Sequence, residues 1–269
     1  MFRGAMLPAG SGNGQDRWSA VSNAAIVLDG ASSFAPESAD ASAYVDSLIG
    51  ELTGALRYRS TAELTDILAD AIRNTVRRLY ITPGYGPSST VLIAVHSDTT
   101  FDILALGDST ALVKATDGTV HRIVDTRLSR TASQLRKAYR DRLKGGSGYD
   151  AQHATLLRHL QQQERTARNS KHGYWIAEVK PEAAYEALRR SFPVHSVEWC
   201  VLATDGAQHV IDYLGEDWDK IAQMSNTELQ ALLVRLRDWE SFEDPTGKLL
   251  PRPKKHDDKT LVVWSPNTA

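Results

Sequence analysis

The residues from Ser89 to Asp125 form four short apolar runs with only a few polar residues between them. They read "STVLIAVHS", "TFDILALGD", "TALVKATDG" and "VHRIVD". Each run has the length of a strand, and the Asp117-Gly118 pair before the last run is a typical hairpin signal. Consecutive hairpins form antiparallel sheets, whereas parallel strands need a crossover helix. The segment therefore predicts sheets that are mainly antiparallel.

Further strands and helices are predicted on both sides of this meander. The predicted strands are 2–7, 23–30, 174–179, 197–205 and 259–264. The predicted helices are 37–58, 61–80, two within 127–171, 181–190, 207–214 and 227–239. Apolar residues recur at helical spacing in the first two, as Leu48, Leu52 and Leu56 illustrate. Because no repeat, low-complexity tract or linker interrupts the chain, we expect one α+β domain over residues 1–269.

The chain carries an unequal distribution of charge. Residues 127–171 contain eleven basic and three acidic side chains, an excess of eight positive charges, whereas the whole chain has a net charge of -2. The remaining residues therefore carry -10. One interpretation is a solvated basic hairpin of two helices. The other is a basic subdomain beside an acidic site, where it would attract an anionic substrate.

Composition excludes several classes of protein. The near-neutral net charge gives no indication of a nucleic-acid partner. No apolar segment approaches the ~18 residues of a membrane span, and the N-terminus lacks the apolar core of a signal peptide. The single cysteine, Cys200, lies in an apolar strand and is expected to be a buried packing residue. We expect a cytoplasmic protein that does not contact a membrane.

Aspartates follow or precede several of the predicted strands. They are Asp29, Asp108, Asp205 and the pair Asp257-Asp258, and a further aspartate, Asp16, follows a glycine-rich loop. If these strand ends meet at one edge, the carboxylates crowd together and repel unless a cation neutralises them. Oxygen ligands without histidine or cysteine suit Mg²⁺ or Mn²⁺. The sequence contains no phosphate-binding loop, zinc-protease motif or nucleophile elbow that would indicate another chemistry.

Six segments, in order from Gly12 to Trp264, resemble motifs of the metal-dependent protein phosphatase 2C (PPM) family. "NGQDRW" resembles the family's N-x-E-D, "IVLDGASS" its D-G-x-G-G, and "SSTVLIAV" its G-T-T strand. "LALGDSTALV" resembles V-G-D-S-R, "CVLATDG" resembles L-L-x-S-D-G, and "HDDKTLVVW" resembles D-N-x-T-V-V-V. The chain is similar to bacterial members in particular, because Ala31 stands where other members have histidine.

The resemblance implies a four-layer α-β-β-α sandwich of two antiparallel sheets flanked by helices, with a basic helical flap inserted at about 127–172. It also implies that Asp29 bridges two metal ions and that the Gly30 carbonyl binds one of them. Asp205 and Asp257 would complete the first site; Asp257 is preferred to Asp258 because it lies three residues before Thr260, as in the family motif. Asp16 would act through water, and Asp108 would help to hold a third ion.

The implied chemistry is hydrolysis of phosphoserine or phosphothreonine by two Mn²⁺ or Mg²⁺ ions, with a third possible. The ions would bridge a hydroxide, orient it in line with phosphorus and neutralise the phosphoryl oxygens. The implied partner is a phosphoprotein that a serine/threonine kinase phosphorylates. Neither the substrate nor the oligomeric state follows from the sequence.

Several positions depart from the family pattern. Ser11 stands where a phosphate-binding arginine is usual, Gln15 replaces the acidic-loop glutamate, and Ser32 and Ser33 follow Ala31 in place of glycines. Arg3 or Arg17 could substitute for the missing arginine. Three functions therefore stay open: a phosphoprotein phosphatase, a weakly active or inactive regulatory binding module with the same fold, and a hydrolase of small phosphate esters.

Overall fold

The computed structural model of the chain describes residues 1–31, 40–58, 62–82 and 86–266. Within these residues the strands are β1 (Phe2–Leu7), β2 (Asp16–Ala20), β3 (Ala24–Ala31), β4 (Ser88–His96), β5 (Thr100–Leu106), β6 (Thr110–Ala115), β7 (Val120–Ile123), β8 (Leu188–Pro193), β9 (Val197–Ala203) and β10 (Lys259–Trp264). The helices are α1 (Ala41–Tyr58), α2 (Leu64–Leu79), α3 (Arg127–Arg130), α4 (Ser133–Lys144), α5 (Ala151–Ala167), α6 (Asp205–Leu214), α7 (Trp218–Gln223) and α8 (Asn226–Phe242).

The strands form two sheets of five. One has the order β1-β10-β9-β6-β7, and the other has the order β2-β3-β4-β5-β8. Every pairing between these strands is antiparallel, as the meander predicted. The pairing of β1 with β10 brings Phe2 opposite Trp264, so the two ends of the described chain lie side by side.

Alternating residues of each strand enter different cores, which produces four layers. In β3, Ala25 and Val27 face the other sheet, whereas Ile26 and Leu28 pack beneath α1 and α2. In β10, Val262 faces the space between the sheets, while its neighbours on either side pack against α6, α7 and α8. The α+β class and the sandwich of two antiparallel sheets flanked by helices are confirmed.

The basic segment folds as the three helices α3 to α5. Tyr139, Leu143 and Leu160 form a small apolar cluster of their own between α4 and α5. The turn between them ends at Asp150, whose side chain accepts a hydrogen bond from the backbone of His153 and caps α5. His153 Nε2 in turn lies 2.8 Å from the carbonyl oxygen of Pro253, which ties α5 to the loop before β10.

Two predictions between the flap and β9 are wrong. Residues 174–179 are not a strand, because Ala177 pairs only with Ser89 and the Ile176 amide bonds to the side chain of Asn169. The helix predicted at 181–190 is a 3-10 turn over Pro181–Glu186, followed by β8. Pairing with β5 overrides the helical propensity there.

The sequence reasoning also missed β2 and α7, and residues 37–39 of the first predicted helix lie outside the described residues. Cys200 is buried as expected, and burial raises the pKa of its thiol. Among the described helices, none combines the length and apolar character needed to cross a bilayer.

Candidate metal centre

A cavity of about 420 Å³ opens where the ends of several strands meet the flap. Four of the predicted aspartates line it, together with Gly30. They are Asp29, Asp108, Asp205 and Asp257. The opposite wall belongs to α4, α5 and the segment that follows, through residues such as Arg136, Glu164 and Arg168. Sequence positions more than 200 residues apart thus meet in one cleft, as the strand-end pattern predicted.

Strand register brings the first two aspartates together. Asp16 of β2 stands directly opposite Asp29 of β3, and Asp29 stands opposite Thr90 of β4. Opposed residues of antiparallel strands share a face, with Cβ atoms about 4.5–5.5 Å apart. Gly30 follows at a point of close approach, since a Cβ there would lie 2.7 Å from the carbonyl oxygen of Gln15. A side chain at position 30 would push β2 away from β3.

Local backbone geometry fixes the positions of the other three aspartates. Asp205 is the first residue of α6, where the helix dipole favours a negative charge. Gly206 lets the start of α6 approach β10, because a Cβ at that position would lie 2.1 Å from the Asp258 carbonyl oxygen. Asp108 follows Gly107, whose φ of 87° ends β5 in a conformation suited to glycine. Asp257 lies two residues before β10.

The cluster is electrostatically unfavourable by itself. Burial raises the pKa of Asp29 well above its usual range, and the charges of Asp16, Asp205, Asp257 and Asp108 raise it further. Carboxyl groups that repel one another hold protons more tightly than isolated ones. A positive charge inside the cleft would therefore stabilise the ionised form.

Two other members of the cluster behave in the same way. Burial and the charge of Asp205 raise the pKa of Asp108 to about 7, although Arg136 opposes the shift. Burial raises the pKa of Asp257 as well; Lys254 opposes this and Asp205 adds to it. The charge of Asp205 thus raises the pKa of both Asp108 and Asp257.

Asp16 does not line the cavity but lies buried beside Asp29, with 1% of its surface exposed. Its Oδ2 accepts hydrogen bonds from Thr204 Oγ1 at 2.9 Å and Thr260 Oγ1 at 2.8 Å. Its Oδ1 is buried and has no hydrogen-bond partner among the residues that the structure describes. Burial raises the pKa of Asp16 to about 8, even though the hydrogen bonds from Thr260 and Thr204 lower it.

Asp257 and Asp258 have different surroundings. Asp257 lines the cavity, whereas Asp258 accepts hydrogen bonds from the backbone amides of Ala9, Gln15 and Asp16. Asp258 therefore ties the N-terminal loop to the start of β10. Of the two aspartates, Asp257 is the one that faces the cleft.

The donor set fits Mg²⁺ or Mn²⁺ in its chemistry. It consists of oxygen atoms, one of which, Asp16 Oδ1, is buried without a partner, and its carboxylates repel one another. In residues 1–31, 40–58, 62–82 and 86–266, however, no three His, Cys, Asp or Glu side chains converge closely enough to hold one ion. The aspartates surround a cleft and do not form a closed cage.

The positions that depart from the family pattern are partly in the cleft. Gln15 and Ala31 line it, whereas Ser11 is an exposed loop residue outside the lining. Ser32 and Ser33 lie outside the described residues. Gln15 offers an amide where a glutamate would add a negative charge.

Neither arginine proposed as a substitute lines the cleft. Arg3 Nη2 donates to the Ala222 carbonyl at 3.1 Å and to Ser265 Oγ at 3.3 Å. Arg17 pairs with Asp46 at 2.5 Å and donates to backbone carbonyls of its own loop. Both side chains are held in structural contacts outside the cavity lining.

The flap wall supports the interpretation of a basic subdomain beside an acidic site. Of the flap's basic residues, Arg136, Arg165 and Arg168 line the cleft. Arg136 pairs with Glu164 at 2.5 Å, and Arg168 pairs with Glu178 at 3.2 Å. The sequence reasoning missed these glutamate partners, because they are remote in sequence and no periodic pattern marks them.

Lys254 and the two threonines that hold Asp16 were also missed. Lys254 lines the cleft at its acidic end, and Thr204 and Thr260 lie buried below it. The motifs "ATDG" and "DDKT" indicate where these threonines lie, but only the fold reveals that both hydroxyl groups reach Asp16.

Solved structures share the fold over nearly the whole chain. The serine/threonine phosphatase Stp1 from Staphylococcus aureus is 12% identical with a TM-score of 0.55, covering 99% of this chain and 94% of its own. The photosystem II phosphatase PBCP is 14% identical with a TM-score of 0.61, covering 100% and 99%. PstP/Ppp from Mycobacterium tuberculosis is 14% identical with a TM-score of 0.53, covering 98% and 97%.

Comparison of sequences gives a more specific result. No curated protein is similar enough in sequence to count as a match. The family model for protein phosphatase 2C, in contrast, matches residues 9–262. That range includes five of the six motif segments in full, the sixth as far as Val262, and every aspartate of the cleft, and it confirms the resemblance seen in the sequence. The chain therefore belongs to the protein phosphatase 2C family.

Proposed function

We propose that the protein is a Mn²⁺- or Mg²⁺-dependent phosphatase that removes phosphate from phosphoserine or phosphothreonine in proteins. The observation that carries the proposal is the convergence of Asp29, Asp108, Asp205 and Asp257 on one cleft in a chain of this family. A scaffold without a ligand gains nothing from a crowded set of carboxylates, which costs stability. The single-domain organisation with a flap at about 127–172 is part of the same proposal.

The roles of the residues follow from their positions. Asp29, the Gly30 carbonyl, Asp205 and Asp257 would hold the first ions, Asp16 would act through water, and Asp108 would help to hold a third ion if one binds. When bound, such ions supply an activated water and neutralise charge on the phosphoryl group.

Other residues of the chain position the groups of the cleft. Thr204 and Thr260 orient the Asp16 carboxylate, and Asp258 fixes the loop that carries Gln15. The flap wall narrows the cleft, so that the cleft presents acidic groups on one side and arginines on the other. This arrangement suits a phosphorylated segment of a protein, whose negative charge the arginines of the flap wall attract towards the cleft.

A direct assay distinguishes the three functions. The purified protein is given p-nitrophenyl phosphate and a phosphothreonine peptide, with Mn²⁺, with Mg²⁺ and with a chelator. We expect metal-dependent hydrolysis of both substrates. Hydrolysis of the small ester alone would favour a small-ester hydrolase. Absence of hydrolysis of either substrate, together with measurable Mn²⁺ binding, would favour the regulatory binding module.

We expect one arginine of the flap, Arg136, to affect phosphoprotein turnover more than the total charge of the flap does. Arg136 lines the cleft, whereas Lys137 on the same helix is exposed and pairs with Asp141. We expect Arg136→Gln to lower kcat/KM for a phosphoprotein about tenfold at low salt and to weaken its salt dependence. Lys137→Gln is the matched control and should change neither quantity.

The same pair of variants tests the structural alternative. If Arg136→Gln lowers turnover of p-nitrophenyl phosphate and phosphoprotein equally, with a lower free energy of unfolding, the arginine serves packing through Glu164. Equal behaviour of the two variants would show that only the net charge of the flap matters.

A further inference from the structure

The cleft lacks the arginine that would hold a phosphate from the N-terminal loop, yet a phosphate ester needs a cationic partner. Ser11 offers no charge, and Arg3 and Arg17 are held elsewhere. In the described part of the chain, four cationic side chains line the cleft. They are Arg136, Arg165, Arg168 and Lys254. The question is which of them can bind a phosphoryl group at the acidic end.

Lys254 contacts the aspartate cluster directly. Its Nζ donates a hydrogen bond to Asp257 Oδ1 at 2.9 Å, and its side chain is 57% exposed. A lysine ammonium is charged at neutral pH, so a positive charge lies beside the groups that we propose to hold the ions.

The backbone that carries Lys254 is fixed on both sides. His153 Nε2 bonds to the carbonyl oxygen of Pro253, and Arg252 Nε bonds to the carbonyl oxygen of Lys255. Arg252 is itself buried and pairs with Asp244 at 2.6 Å. A flexible side chain on a fixed loop can move from one anionic partner to another without rearrangement of the fold.

Two of the flap arginines, Arg136 and Arg168, are less suited to this role because each is held in an ion pair. Arg136 is 14% exposed and held by Glu164 and by the carbonyl oxygen of Thr131. Arg168 is 15% exposed and held by Glu178 and Tyr174. Arg165 belongs to the last turn of α5, on the flap wall. Binding a phosphate with Arg136 or Arg168 would break a buried pair and leave a glutamate uncompensated.

We propose that Lys254 is the phosphate-binding cation of this cleft and replaces the arginine that position 11 lacks. Its ammonium leaves Asp257 and donates to a phosphoryl oxygen of the substrate or of released inorganic phosphate. This inference rests on the proposed function for the identity of the substrate, but phosphate binding itself requires no turnover. Lys254 is a substrate-binding residue in this account.

The test measures binding of inorganic phosphate, by calorimetry, to the chain saturated with Mn²⁺. We expect Lys254→Met to weaken phosphate binding about tenfold or more, because a charge-assisted hydrogen bond is lost. Lys254→Arg should stay within about threefold of the unmodified protein, because arginine also donates to phosphate. Lys255→Met is the matched control: it is exposed, adjacent and outside the cavity lining, and it should bind phosphate normally.

Mn²⁺ titration and circular dichroism establish that each variant is folded and loaded. Unchanged phosphate binding by Lys254→Met would overturn the proposal and leave Lys254 as a partner of Asp257 only. A large loss in Arg136→Met without a loss in Lys254→Met would assign the phosphate to the flap wall and would also overturn it.

The outcomes for the two proposals are separable. If the unmodified protein hydrolyses phosphoprotein but Lys254→Met binds phosphate normally, the proposed function stands and this inference fails. If phosphate binding depends on Lys254 but no substrate is hydrolysed, this inference stands and the phosphatase activity fails.

Discussion

Replacing Asp205 with alanine should reduce Mn²⁺-dependent hydrolysis of p-nitrophenyl phosphate about a thousandfold or more. Asp205 lines the cleft at the start of α6, and its charge acts on Asp29, Asp108 and Asp257. If it binds a metal ion, its loss removes several kcal/mol of transition-state stabilisation, and each 1.36 kcal/mol is about a factor of ten in rate. Turnover is measured at saturating Mn²⁺.

The fold should survive this change. A carboxyl group whose pKa is raised in the folded state makes the fold less stable as the pH rises. The loss begins above about 4, the pKa in the unfolded chain, and continues up to the pKa in the folded state, which is about 7 for Asp108. Removing Asp205 relieves that repulsion, while loss of its charge at the N-terminus of α6 costs about 0.3–1 kcal/mol. Without metal at pH 8, we therefore expect equal or higher stability in urea.

A second acidic residue of α6 provides the control. Asp212 pairs with Arg122 at the other end of the helix and does not line the cleft. Asp212→Ala should keep full turnover. Full turnover by Asp205→Ala as well would remove Asp205 from the proposed metal centre.

Replacing Lys259 with methionine should lower the free energy of unfolding by about 3–5 kcal/mol. Lys259 and Glu240 are each 1% exposed, and the ammonium lies 2.9 and 3.0 Å from the two carboxylate oxygens. The substitution leaves Glu240 buried, with His256 Nδ1 at 3.0 Å and Arg252 Nε at 3.7 Å as its remaining partners. Because native proteins are stable by only about 5–15 kcal/mol, urea denaturation should show the loss clearly.

Two comparisons identify the cause. Replacing both Lys259 and Glu240 with methionine should recover much of the lost stability, because no uncompensated carboxylate stays buried. Lys137→Met removes an exposed pair with Asp141 and should not change the unfolding free energy measurably. A loss in the double variant as large as that in Lys259→Met would point to packing of the lysine stem.

Most of the fold could be predicted from the sequence because each long element repeats its own pattern. The continuous apolar run of β3 and the helical stripe of α1 are local signals. The first reflects burial of both faces of the strand, and the second reflects burial of one face of the helix. β2 and β8 lack that signal. β8 reads Leu-Arg-Arg-Ser-Phe-Pro and is an edge strand with exposed arginines, so only its pairing with β5 makes it a strand.

The candidate site divides in a similar way. Asp29, Asp108, Asp205 and Asp257 could be found because they lie near the ends of apolar strands, and Asp16 because the order of all five matches a family pattern. Lys254 could not, since "PRPKKHDD" has no periodicity that distinguishes it from Lys255. Which lysine faces the cleft depends on the loop conformation that Arg252 and His153 impose, and the contact of His153 with Pro253 joins residues 100 positions apart.

The position of β10 between β1 and β9 has a consequence for synthesis of the protein on the ribosome. β1 is made first but pairs with β10, which is the last described strand to emerge. Until then β1 has no neighbour in its sheet, and Asp257 and the Asp258 carboxylate that binds the N-terminal loop are missing. A nascent chain therefore cannot assemble the cleft, and any truncation before residue 257 leaves an incomplete set of acidic groups and an unpaired strand exposed to aggregation.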